Sequence, residues 1–360
     1  MTSGRQVDFA LRKWLEMNVN DRYDKLTWAQ YENLILAIRD EFENWPVLNR
    51  FEYIHSVELQ DPDYGFGKPY SVPLAFSDSG GDGQPLVAIG GLTNVAQRFD
   101  FLALDAYPEV RVIALDLGGR GYSGWMAETS DYHLDTYIEQ LNQLMVHLGL
   151  DSCSLLGSSL GGSIAISFAA RYPKRVRKIV LNDSTPHIPV ERRARRARAV
   201  GRHYIFRTPS EMFRRIGASA KYVGPTPDAV LLHSSHHKTC WSDTEQGRIY
   251  RHDLRSMLAY RAEASQSLDL WDQWSAVQCP VLLLHGVESD ATTDETIARM
   301  RGHENFSVIH ILDSGHTPSL GDSELTSAIS NWLQDDGRRV DDQVLSVSYR
   351  PNRVLYPDER

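Results

Sequence analysis

The chain has 360 residues, enough for one large α/β core with additions, and its 42% hydrophobic and 24% charged content is that of a globular protein. A net charge of -9 excludes general nucleic-acid binding, since no overall positive field draws in phosphates, and three widely spaced cysteines, Cys153, Cys240 and Cys279, exclude a disulfide framework. The opening MTSGRQVDFALRKW lacks the apolar core of a signal peptide and no run of about 18 apolar residues occurs, so a cytoplasmic protein without membrane contact is expected. In chain order, the first seventy-odd residues read as a helical extension. Thr27 and Gln30 form a capping box, and Trp28, Tyr31, Leu34, Ile35, Ile38 and Phe42 follow at helical spacing up to Pro46. DPDYGFGKPYSVP, residues 61–73, reads as a linker.

From Leu74 the pattern changes to short apolar runs ending in glycine, PLVAIGG and VRVIALDLGG, which suit buried parallel strands. An amphipathic helix, LDTYIEQLNQLMVHLGL, then leads to the strand SCSLLG, the helix GGSIAISFAARYP and the strand VRKIVLND. Such βαβα alternation predicts a parallel sheet with helices on both faces. It is interrupted from Pro186 to Val277 by a segment read mainly as helices, then resumes with CPVLLLHGVESD, DETIARMR, FSVIHILDSGH and SELTSAISNWLQD. The expected organisation is a helical extension (1–73), a first core segment (74–185), a helical cap (186–276), a second core segment (277–336) and a polar tail (337–360).

The chemistry concentrates at GSSLG, residues 157–161, which fits G-x-S-x-G with Ser159 at its centre. In that motif the serine sits on a sharp strand-to-helix turn, and glycine is needed two residues before and two after to avoid collision. A serine attacks only when a base takes its proton, and an acid followed by a histidine should come later in the chain. Asp290 in LLLHGVESD and His316 in LDSGHTP supply them on loops at strand ends, with Glu288 and Asp183 as competing carboxylates. The oxyanion donors are read as the backbone N–H groups of Leu160, directly after the nucleophile, and of Leu92 in the glycine-rich turn AIGGLTN. Gly91, Ser158, Arg120 and Trp125 are candidates for substrate contact. Asp116 and Arg120 are read first as a brace for the oxyanion turn.

GGLTN, LDLGGRGYSGW, GSSLGG, HGVESD and SGHTP together resemble the α/β-hydrolase family, in its serine esterase branch with a helical cap. Gly90 stands where many members carry histidine. The resemblance implies a mostly parallel central sheet, no cofactor and no metal, and an acyl-enzyme on Ser159 formed from a small ester or lactone. C–C bond hydrolysis of a vinylogous keto acid, or a non-catalytic receptor for a small ligand, are the other readings. Epoxide opening is set aside, because it needs Asp at the elbow. Residues 191–215 carry nine arginines against two glutamates. This is read as a solvated helix face, with a grip on a substrate carboxylate or an acidic partner as the alternatives. His233, His237 and Cys240 have metal-compatible spacing but are read as packing or pocket residues. The leader helix is a candidate surface for a homodimer.

Overall fold

In the computed structural model the described residues are 26–42, 44–55, 70–220, 223–224, 226–335 and 339–346. The start of the leader, most of the 61–73 linker and the end of the tail lie outside them. No helix among the described residues is long and apolar enough to cross a membrane.

The core is one nine-stranded sheet. Its strands are β1 (Val47–His55), β2 (Tyr70–Asp78), β3 (Gln84–Ile89), β4 (Val110–Asp116), β5 (Cys153–Ser158), β6 (Val176–Asn182), β12 (Val281–Gly286), β13 (Phe306–Leu312) and β14 (Gln343–Ser346), in the spatial order β1-β2-β4-β3-β5-β6-β12-β13-β14. β1 and β2 pair antiparallel, as do β2 and β4; from β4 onward every neighbour is parallel. Helices α2 (Asp100–Ala106), α3 (Leu134–His147), α4 (Leu160–Arg171), α10 (Asp294–Met300) and α11 (Ser323–Gln334) alternate with them. The central strands β5 and β12 are buried at every position, as strands covered on both faces must be.

Three boundaries differ from the sequence reading. Residues 47–55 and 70–73 form strands of the sheet rather than a helical extension and a linker. Pro73 is tolerated within β2 because pairing with β4 begins only at Ala75, so no ladder bond needs its missing N–H. At the other end, β14 adds part of the tail to the sheet beside β13.

The third concerns the cap, which is not purely helical. The chain leaves the core through β7 (His187–Ile188) and returns through β11 (Leu268–Asp269), and these two short strands pair antiparallel as a neck. Between them lie α5 (Val190–Ala199), α6 (Pro209–Ala220), α7 (Asp228–Lys238) and α8 (Leu254–Glu263), with a small sheet in the order β8 (Ile205–Phe206), β10 (Gly247–Tyr250), β9 (Thr239–Ser242). After the neck, α9 (Trp271–Ala276) buries Trp274 in the core cluster that also holds Ile164 and Phe168 of α4, so the core resumes before residue 277.

The leader helix α1 (Trp28–Asp40) begins with the expected capping box, Thr27 to Gln30. Its apolar face packs on the cap. Tyr31, Leu34, Ile35 and Ile38 share a buried cluster with Phe206, Phe213, Val230 and Leu232. The Tyr31 hydroxyl donates to Leu232 O at 3.1 Å, Trp28 Nε1 donates to Arg207 O at 2.9 Å, and Glu32 pairs with Arg248 at 2.7 Å. The apolar face of α1 is therefore covered within this chain.

The β5–α4 turn is a tight passage of backbone against backbone. A Cβ on Gly161 would lie 2.1 Å from Ile89 O, and one on Gly157 would lie 2.4 Å from Gly161 O. Both contacts are with backbone, which cannot rotate away. Replacing Gly161 with Ala is expected to lower unfolding stability in urea by about 2 kcal/mol or more; an unchanged denaturation midpoint would contradict this packing.

Candidate active site

Ser159 occupies φ 54°, ψ −115° between β5 and α4. This is a left-handed conformation that a residue with a Cβ adopts at a cost of order 1–3 kcal/mol. Asp183 (φ 48°) and Thr317 (φ 59°) are also at positive φ. Among the described residues, three of the five non-glycine residues with positive φ therefore lie at, or next to, the residues brought together here.

Asp183 is the first residue after β6, fully buried, and its Oδ2 lies 2.7 Å from His316 Nδ1. Ser289 Oγ donates to the same carboxylate oxygen at 2.5 Å. This corrects the acid read from the sequence: Asp290 is not the partner of His316. Its carboxylate is turned to the cap, where Arg192 Nε donates to Oδ1 at 3.2 Å and Arg195 pairs with Oδ2. Those guanidinium groups hold the Asp290 carboxyl below its usual range, against the opposing effect of partial burial. Glu288, the other competitor, sends its backbone N–H to Ser314 O at 2.9 Å.

Burial pushes the His316 imidazole below its ordinary value, and repulsion from Arg192 and Arg196 adds to this. The hydrogen bond and charge of Asp183 oppose both. The ring is therefore neutral near pH 7, with Nδ1 occupied by the carboxylate and Nε2 left to accept a proton.

Hydrogen bonds tie the loops around these residues together. Asn182 Nδ2, on the residue before Asp183, donates to Ser158 Oγ and to Pro318 O, both at 3.1 Å. Ser184 Oγ, on the residue after it, donates to Ser159 O at 3.3 Å. One strand end thus holds both the elbow and the histidine loop.

Across the cavity, a Cβ on Gly91 would lie 3.2 Å from the Ser159 Cβ, so the glycine lets the 90–94 turn close on the serine. Leu92 and Leu160 line the same space as Ser159, His316 and Gly91, and Leu160 opens α4, where the first N–H groups have no intrahelical acceptor. The cavity measures about 710 Å³.

The remaining substrate-contact candidates are placed elsewhere. Arg120, 1% exposed, donates from Nε to Leu92 O at 2.6 Å, from Nη1 to Gly118 O at 3.2 Å and from Nη2 to the Tyr137 hydroxyl at 2.9 Å. It fixes the 90–94 turn from behind and does not line the cavity. Asp116 Oδ1 and Oδ2 accept from Ala96 N (2.7 Å) and Tyr122 N (2.9 Å), completing the brace. Ser158 is fully buried and held by Asn182. Trp125 is 61% exposed, away from the cavity.

His233 Nε2 lies 2.8 Å from Asp100 Oδ2, and His237 Nδ1 lies 2.9 Å from the Tyr122 hydroxyl. Both rings thus have packing partners at the base of the cap. Two cavity residues had no sequence signal of their own: Arg98, on the single helical turn Ala96–Phe99, and Lys238, the last residue of α7. Only the folding of the cap over the 90–94 turn brings them together.

Among proteins of known activity, the chain is 27% identical over 260 residues to the 3-hydroxybutyrate-oligomer hydrolase of Cupriavidus necator, covering 69% of this chain and 88% of that one. It is also 27% identical over 267 residues to (E)-2-((N-methylformamido)methylene)succinate hydrolase of Acinetobacter baylyi, covering 71% and 92%. Among solved structures, an α/β hydrolase from Novosphingobium aromaticivorans superposes with a TM-score of 0.66 at 25% identity, covering 79% of this chain and 98% of that one. The family model described as alpha/beta hydrolase fold matches residues 84–322, which run from the start of β3 to the loop that follows His316. The strand order, the strained elbow and this match agree: the chain belongs to the α/β-hydrolase fold family and is a hydrolase of that family.

Proposed function

We propose that the chain is a serine hydrolase that cleaves a small-to-medium carboxylic ester or lactone through an acyl-enzyme on Ser159. The carrying observation is the 2.7 Å pair between His316 Nδ1 and the buried Asp183, facing one cavity with a serine held at φ 54°. In this reading Ser159 Oγ attacks the carbonyl carbon while His316 Nε2 takes its proton, and Asp183 orients the ring and stabilises the imidazolium. The N–H groups of Leu92 and Leu160 stabilise the tetrahedral oxyanion. Collapse breaks the bond to the leaving oxygen, which receives the proton from His316. Water then attacks the acyl carbon, again giving its proton to His316, and the acid departs with Ser159 restored. The relative from Cupriavidus necator, named for an oligomer of a hydroxy acid, supports an ester as the bond. The succinate derivative in the other relative's name supports a compact acyl group.

A fluorophosphonate probe separates this reading from a non-catalytic receptor. Stoichiometric labelling located on Ser159 by mass spectrometry is expected, and Ser159→Ala should abolish it and lower turnover of p-nitrophenyl butyrate by on the order of 10⁴-fold or more. An unlabelled, correctly folded protein would favour the receptor.

The two carboxylates are told apart by single amide substitutions. Asp183→Asn should lower kcat by roughly 10⁴-fold, whereas Asp290→Asn should lower it by less than about tenfold, as expected for a half-exposed ion pair. The opposite ranking would reinstate Asp290.

Because the imidazole must be neutral to accept a proton and its folded value is depressed, activity should be full at neutral pH and be lost as pH falls. The acid limb of kcat/KM should be centred below the ordinary histidine value of about 6.5. A limb centred above that value would show that the environment of His316 is not the one described.

A further inference from the structure

Among the described residues, six Arg and Lys side chains line the cavity: Arg98, Arg192, Arg193, Arg195, Arg196 and Lys238. Three carboxylates share it, Glu263, Glu288 and Asp290. The ion pairs divide the cations into two sets. Arg192 and Arg195 are taken by Asp290, and Arg193 by Glu263 at 3.2 Å and Gln266 O at 3.0 Å. Arg98, Arg196 and Lys238 have no carboxylate within ion-pair distance among the described residues. Arg98 gives Nη2 to Thr317 O at 2.8 Å while its buried Nε has no partner. Arg196, exposed at the rim, reaches only Thr93 Oγ1 at 3.4 Å. The Lys238 side chain, partly buried, has no hydrogen-bond or ion-pair partner among the described residues.

We propose that Arg98, Lys238 and Arg196 form a carboxylate-binding subsite, and that the substrate is an ester carrying a free carboxylate. The proposal rests on the serine-hydrolase reading and specifies its substrate class. Desolvation of a cation is repaid only by pairing, which bears on the buried Arg98 Nε and the partly buried Lys238, while Arg196 stays exposed beside them. Here the missing counter-charge comes with the ligand. A carboxylate offers two acceptor oxygens, which matches a guanidinium fork beside an ammonium. The subsite adjoins the reacting centre. Thr317 follows His316 and Thr93 follows Leu92, so two of the three cations touch residues adjacent to the base and to the oxyanion turn. Consistent with a site awaiting an anion, burial together with repulsion from Arg98 and Arg196 pushes the Lys238 ammonium down to about 7, and burial pushes Arg98 down to about 10.

The test compares two substrates matched in chain length, the 4-nitrophenyl monoester of adipic acid and 4-nitrophenyl hexanoate, in the full-length protein at pH 7. The ratio of their kcat/KM values should favour the acid ester in the wild type. It should fall by tenfold or more in Lys238→Met and in Arg196→Gln, and recover in Lys238→Arg. Arg196 is exposed, so its substitution remains readable if Lys238→Met does not fold. A calorimetric titration of adipate into Ser159→Ala reads the subsite without catalysis, and affinity should drop at least tenfold when Lys238→Met is added. If both esters turn over with a ratio indifferent to these substitutions, the subsite is overturned and the hydrolase reading stands. If neither ester turns over but adipate binding depends on Lys238, the subsite stands and the serine chemistry is overturned.

Discussion

An L-residue kept at φ 54° and ψ −115° needs surroundings that outweigh its strain, and the backbone contacts around Ser159 supply them. Gly157 and Gly161 allow the end of β5, the start of α4 and the end of β3 to pass at distances that any Cβ would forbid. With those three backbones locked, the Ser159 side chain turns to the cavity while Ser158, one residue earlier, is fully buried. Asn182 then reaches from β6 to both the elbow and the histidine loop. The positions of Asp183 and His316 thus follow from the same packing that bends the serine.

Much of this was legible in the sequence because it depends on local pattern. The parallel strands appear as apolar runs ending in glycine, the elbow as two glycines flanking a serine, and α1 as a capped 3.6-residue repeat. The acid was not legible, for a physical reason. Asp183 directly follows the last residue of β6, where the sheet fixes its direction, whereas Asp290 lies four residues beyond Gly286, on a loop free to turn. Both read as acids after a strand; only the side on which Arg192 and Arg195 stand decides which one faces the histidine.

The β1–β2 hairpin was missed differently. Phe51 and Tyr53 point inward while Arg50, Glu52 and Ile54 alternate with them, a two-residue period that was present in the sequence. The glycines and prolines just before Leu74 outweighed it. Nor does sequence alone sort the arginine-rich segment. Its charges acquire different roles only when Glu263 and Asp290 neutralise some and leave others.

The way the cap is fastened has a consequence for how a ligand would be received. It is joined to the core by the β7–β11 neck and by the 119–121 loop, whose Gly121 N donates to Arg251 O and whose Gly119 O accepts from Asp253 N. The leader helix grips it from a third direction. A roof pinned at three places behaves as masonry rather than as a hinged door. Such fastening favours an interior shaped before anything enters, which keeps the ordering cost of association small.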